Sequence, residues 1–129
     1  EALAGLIEPL VDAGVSMIHA SQRRFWEAEF PGSPMNLAGW IRKLSGLPVI
    51  TVGSVGLSVD TIDTNYLARG TVAAPQSLER LEAMLDRGEI DLVAVGRALL
   101  QDPFWARKIR TGRTEELQAY SVEALDRYY

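Results

Sequence analysis

Leu3, Leu6, Ile7, Leu10 and Val11 recur at helical spacing, which predicts an amphipathic helix over residues 2–13. Pro9 sits inside that pattern and is expected to kink or restart the helix. Gly14 is placed to end it in a left-handed cap. The apolar stretch Val15 to Ala20 then reads as a short strand. The same alternation returns twice. Asn36 is positioned to cap a helix over residues 37–44 whose stripe is Leu37, Trp40, Ile41 and Leu44, and Gly46 stops it. Residues 47–53 form the second expected strand, with Pro48 tolerated at its start. Ser77 is expected to cap a third helix, with Leu78, Leu81, Met84 and Leu85 on its buried face and Gly88 at its end. Arg80 stands where a capping box would carry Glu or Gln.

The third strand is the stretch around which the rest is arranged. Leu92-Val93-Ala94-Val95 is an unbroken apolar run that ends in Gly96. A run without polar alternation predicts a strand buried on both faces, as in parallel sheets. A helical turn over Ala98-Leu99-Leu100 follows, then Asp102-Pro103, a helix over residues 104–110 with a basic end, and Gly112 to close it. The tail from Thr114 to Tyr129 carries helical pieces. Strands separated by helices imply right-handed crossovers and a parallel sheet.

Two connections do not follow the pattern. Residues 22–35 lack periodicity and hold Arg23, Arg24, Phe25, Trp26 and Phe30. A long loop after a buried strand is often functional, although these aromatics also suit simple packing onto the body. Residues 57–75 are expected to be irregular, punctuated by Asp60, Asp63, Asn65, Gly70 and Pro75, and no role is assigned to them.

Composition narrows the classes. The chain has 129 residues, the length of one ordinary domain, with 47% hydrophobic and 23% charged residues, as globular proteins have. A net charge of −4 argues against an electrostatic nucleic-acid surface. With no cysteine there is no disulfide framework and no thiolate chemistry, and the single histidine, His19, cannot build a multi-histidine metal centre. His19 is expected to be a packed or supporting residue rather than a catalytic base. No apolar stretch approaches membrane-spanning length, no signal peptide is visible, and a cytoplasmic protein is expected. The chain opens on Glu1, already inside a helical pattern, which suggests a piece of something longer.

The candidate chemistry lies at two strand ends. Gly96 would let a backbone approach a ligand closely, Arg97 offers a planar fork of donors suited to phosphate, and the helix start behind it presents backbone N–H groups. Gly53-Ser54 closes the preceding strand in the same manner. Such a pair after consecutive strands matches the phosphate position of a (β/α)8 barrel. The same residues also describe a buried strand that merely ends in Gly-Arg.

The run Leu92-Val93-Ala94-Val95-Gly96-Arg97-Ala98-Leu99-Leu100-Gln101-Asp102-Pro103, preceded by Val49-Ile50-Thr51-Val52-Gly53-Ser54-Val55-Gly56, resembles the old yellow enzyme family of flavin mononucleotide (FMN) oxidoreductases. His19-Ala20-Ser21 with Arg23-Arg24-Phe25-Trp26-Glu27 is similar to the loop after the sixth strand in one bacterial branch. The resemblance implies an α/β fold comprising strands six to eight of a (β/α)8 barrel, with residues 1–129 as its C-terminal segment. It implies FMN and NAD(P)H as cofactors and an activated alkene as substrate. Gly53, Ser54, Gly96 and Arg97 would bind the flavin phosphate, and Arg23, Arg24, Phe25 and Trp26 would edge the substrate mouth. The family's substrate-anchoring His pair and tyrosine proton donor have no counterpart here, so no catalytic residue is expected on this chain and the segment alone should be inactive. Its partners would be the missing barrel strands or another copy of the chain, in an oligomer. Two other readings fit the residues: a different phosphate-binding barrel enzyme, and a non-catalytic half-barrel assembly module.

Overall fold

The structure, a computed structural model, describes residues 1–57 and 75–127. The stretch expected to be irregular, 57–75, lies outside the described residues except at its two ends. In order, the elements are α1 (Ala2–Asp12), β1 (Ile18–Ser21), α2 (Leu37–Ser45), β2 (Val49–Val52), α3 (Pro75–Asp86), β3 (Leu92–Val93), α4 (Arg97–Gln101) and α5 (Trp105–Arg110). Short 3-10 turns follow at Thr114–Glu116 and Val122–Asp126. The chain divides into two compact units, Glu1–Gly53 with Arg80–Ala94, and Ser54–Glu79 with Val95–Tyr129.

The first unit holds a three-stranded parallel sheet in the order β1-β2-β3. Helix α2 packs on β1 and β2, and α1 packs on α2. Three departures from the sequence expectation have physical causes. Helix α1 runs through Pro9 without a break. The carbonyl that Pro9 cannot bond belongs to Gly5, and both residues are exposed, so water can satisfy it. β1 begins at Ile18 rather than Val15. The residues ahead of it are spent leaving α1: Gly14 N–H donates to the Val11 carbonyl (2.9 Å) and Val15 N–H to the Leu10 carbonyl (3.2 Å), a Schellman close with Gly14 at φ +84°. The ladder starts only where Ile18 N–H reaches the Pro48 carbonyl.

The third departure concerns burial. β3 is two residues long, and Leu92 is 49% exposed instead of enclosed on both faces. The register shows why. Ala20 pairs with Thr51 and Thr51 with Val93, and this row faces the helices, with Ala20 and Thr51 fully buried. His19 pairs with Ile50 and Ile50 with Leu92, and this row lies on the opposite face, with His19 exposed and Ile50 half-buried. Within the first unit, α2 covers the face that carries Ala20 and Thr51. His19 is therefore not the packed residue that the sequence suggested.

Helix α2 starts and stops as its sequence dictates. The Asn36 side-chain oxygen accepts from Gly39 N–H at 2.8 Å, and Gly46 closes the helix at φ +70°. Asp91 locks the far side of this layer: one carboxylate oxygen accepts from Val49 N–H at 2.8 Å and lies 2.9 Å from Arg42 Nε. Helix α3 begins at Pro75, ahead of Ser77, and buries Leu81 and Met84.

In the second unit, α4 and α5 meet at a corner built on Asp102. One carboxylate oxygen accepts from Phe104 N–H (3.0 Å) and the other from Lys108 Nζ (2.6 Å). Lys108 also donates to the Glu116 carbonyl, which folds the chain after α5 back onto that helix.

Candidate functional site

The expected phosphate-binding residues fall in both units. Ser54, Gly96 and Arg97 belong to the second, and Gly53 ends the first. Ser54 opens a tight turn in which Leu57 N–H donates to the Ser54 carbonyl at 3.1 Å. Ser54 has φ +55°, alone among the described non-glycine residues in that region. Gly56, at φ +75°, takes the third position of the turn, where a type II turn needs positive φ. It has a second reason to be glycine. A Cβ on Gly56 would lie 2.8 Å from the Ala98 Cβ and 3.2 Å from the Trp105 Nε1. The turn after β2 is therefore packed against the first turn of α4 and the start of α5.

Gly96 is the residue before α4, and its carbonyl accepts from Leu99 and Leu100 N–H. A Cβ built on Gly96 meets nothing within 4 Å among the described residues, which leave the space beside this backbone open. Arg97 is half-buried, with its guanidinium carbon 5.7 Å from the centre of the Tyr120 ring. Ser54, Gly96 and Arg97 thus stand around one turn–helix junction, and the structure brings this part of the expected set together.

Gly53 is placed differently. Its φ is +152°, and a Cβ there would strike the Gln22 carbonyl oxygen and crowd the Phe25 and Arg24 nitrogens at 3.0 and 3.1 Å, inside ordinary van der Waals contact. The Gly53 carbonyl accepts from Phe25 N–H at 3.0 Å. The backbone of the 22–25 loop sets the demand for glycine at this position.

That loop carries the four residues expected at a substrate mouth. Phe25 is fully buried at 0% exposure and meets Trp26 edge-on, ring centres 5.1 Å apart. Its carbonyl accepts from the Asn36 side-chain amide at 2.8 Å, so the residue that caps α2 also anchors the loop. The structure places Phe25 in the interior and not at a rim. Arg23 is exposed, Trp26 is half-buried, and Arg24 pairs with Glu27. Arg80, unexplained as a capping residue, donates to the Trp26 carbonyl at 2.7 Å and clamps the loop to α3. A cavity of about 360 Å³ lies beside this clamp, with Phe25, Pro34 and Met84 among its lining and Arg87 at its edge. Glu89 grips Arg87 through both carboxylate oxygens, and that hydrogen bonding raises the Arg87 pKa from its ordinary value.

Sequence reasoning missed the tail. Gln101, on α4, is buried; its carbonyl oxygen accepts from Ser121 N–H (3.0 Å) and its amide donates to Gln118 (3.3 Å). This ties residues 118–121 to the helix that carries Arg97. No periodicity or motif marks such a pairing, because it joins positions about five helical turns apart in the chain. Further along, a hydrogen bond from the Ser121 hydroxyl holds the exposed Glu123 carboxyl below its usual range.

The fold and junction define a parallel α/β segment with glycine and arginine at strand ends. No protein-family model matches the chain. It is similar to a protein named NADH oxidase from Thermoanaerobacter brockii, 30% identical over 117 residues, covering 84% of this chain and 15% of that protein. It is also similar to a protein named NADPH dehydrogenase from Bacillus subtilis (strain 168), 29% identical over 118 residues, covering 89% of this chain and 29% of that protein. The chain thus spans less than a third of the length of either relative. No helix among the described residues is long and apolar enough to cross a membrane.

Proposed function

We propose that this chain is the C-terminal segment, strands six to eight, of a (β/α)8 oxidoreductase that moves hydride from NAD(P)H through FMN to an activated alkene, and that it binds the flavin phosphate. The observation that carries the reading is the packing of the Ser54–Leu57 turn on the first turn of α4, beside the open space at Gly96. Ser54 and Gly96 offer backbone N–H groups there, and Arg97 offers a guanidinium, a donor set suited to a phosphate dianion. The two relatives, named for oxidation of NADH and NADPH, support nicotinamide-linked oxidoreduction.

When bound, the flavin supplies the two-electron chemistry, and the protein positions it. On this chain Arg97 and the turn residues hold the phosphate end. Gly53, just after β2, holds the 22–25 loop against that strand through its carbonyl. Arg23, Arg24 and Trp26 shape access for substrate and nicotinamide, with Phe25 as the buried anchor of that loop. No residue of this segment is assigned as proton donor.

The test is Arg97→Ala in the full-length protein. Losing a charge-assisted contact of roughly 1.5–3 kcal/mol should weaken FMN binding by about ten- to a hundred-fold. Hydride transfer in flavin-saturated protein should change by no more than about two-fold, because Arg97 acts on the phosphate and not on the reacting ring. Unchanged FMN affinity in a titration of the variant rejects the phosphate site.

A further inference from the structure

Tyr120 lies in the tail, for which the sequence offered no role. It is 2% exposed and clusters with Leu57, the last residue of the Ser54 turn, and with Ala124. Arg97 sits over its ring, guanidinium carbon to ring centre 5.7 Å, within the range of a cation–π contact. Its hydroxyl makes no hydrogen bond among the described residues. Gln101 bonds to both Gln118 and Ser121, so the ring cannot drift from α4 without breaking those contacts.

We propose that Tyr120 is a positioning residue for phosphate recognition: its ring face holds the Arg97 guanidinium at the turn–helix junction. This rests on the reading of Arg97 as a flavin-phosphate ligand. An arginine has several rotatable bonds, and ordering them on binding weakens the complex. A ring fixed beneath the guanidinium orders it beforehand. The contact is made with the ring face and uses none of the guanidinium N–H donors. Tyr120 also shares a buried cluster with Leu57 and Ala124, which ties the position of the ring to the turn. The hydroxyl contributes nothing visible to this arrangement, which makes Phe the natural conservative replacement.

The experiment compares FMN with riboflavin, which lacks the phosphate, by fluorescence titration of the full-length apoprotein. Tyr120→Leu should weaken FMN binding by about three- to thirty-fold and riboflavin binding by less than about two-fold. Tyr120→Phe should keep both affinities within about two-fold of the parent. Equal weakening of both ligands by Tyr120→Leu would show a packing role alone and overturn the proposal, as would unchanged FMN affinity. A loss in Tyr120→Phe matching that in Tyr120→Leu would overturn the assignment to the ring face. If Tyr120→Leu fails to fold, pentafluorophenylalanine at position 120 keeps the ring's shape while reversing the charge of its face. It should then weaken FMN selectively, and a parent-like FMN affinity would overturn the proposal. Arg97→Ala separates the two levels. If it abolishes the preference for FMN over riboflavin while Tyr120→Leu does not, only the Tyr120 role falls; if it leaves the preference intact, the phosphate reading falls with it.

Discussion

Glycine serves two different ends within four residues of each other. At Gly56 a side chain would strike Ala98 and Trp105, while at Gly53 it would strike the backbone of the loop after β1. Backbone cannot move aside as a side-chain tip can. Gly53→Ala should therefore destabilise the full-length protein by about 1–3 kcal/mol, the usual scale for forcing a side chain into a disfavoured backbone region. Thermal and urea unfolding check this. A variant within about 0.5 kcal/mol of the parent would mean that the 22–25 loop yields easily. The pattern Val-Gly-Ser pointed to glycine at this site, but it did not reveal which neighbour required it.

Among the elements, the α4–α5 corner rests on one ion pair. Asp102 is 4% exposed, and Lys108 contacts one of its oxygens at 2.6 Å. Removing one partner of such a pair leaves a buried charge without compensation, which typically costs about 3–5 kcal/mol. Lys108→Met should destabilise by about 3 kcal/mol, because Asp102 keeps the Phe104 N–H and loses its counter-charge. The double variant Lys108→Met with Asp102→Asn should recover part of that loss, since the buried group is then neutral. Equilibrium unfolding of the single and double variants measures both effects. No recovery would place the cost in the contact between Lys108 and the Glu116 carbonyl instead. Asp102-Pro103 was readable as a helix stop, whereas its ion partner six residues on was not, because the pairing depends on how two helices turn about the corner.

For the whole chain, the sheet of the first unit presents an exposed row among the described residues. His19, Ile50 and Leu92 form this row, and Leu92 and His19 are exposed. An apolar face of this kind, with parallel strands at both edges of the described sheet, invites further strands or another copy of the chain. We expect the 129 residues by themselves to self-associate or to bind a hydrophobic dye, and to bind FMN weakly because only its phosphate end has contacts. Sedimentation velocity and dye fluorescence are the measurements. A monodisperse monomer that melts cooperatively and reduces an enone with added FMN and NADH would refute the segment reading.

Local rules were enough to place the helices and the ends of α2, though not the continuity of α1 through Pro9 or the start of α3 at Pro75. Asn36 caps α2 with its own side chain, Gly14 and Gly46 close helices in the left-handed region, and Ile41, Leu81 and Met84 of the expected stripes are buried while Leu44 and Leu85 at their ends stay exposed. The alternation of helix and apolar run was likewise sufficient for a parallel sheet. Tertiary structure alone decided the rest. It set the start of β1, because the ladder begins only where Ile18 N–H reaches the Pro48 carbonyl. It left Leu92 half in water, because burial depends on what covers a strand and not on the strand's composition. It also drew Phe25 into the interior and Tyr120 beneath Arg97, since contacts between residues far apart in the chain leave no periodic trace in the sequence.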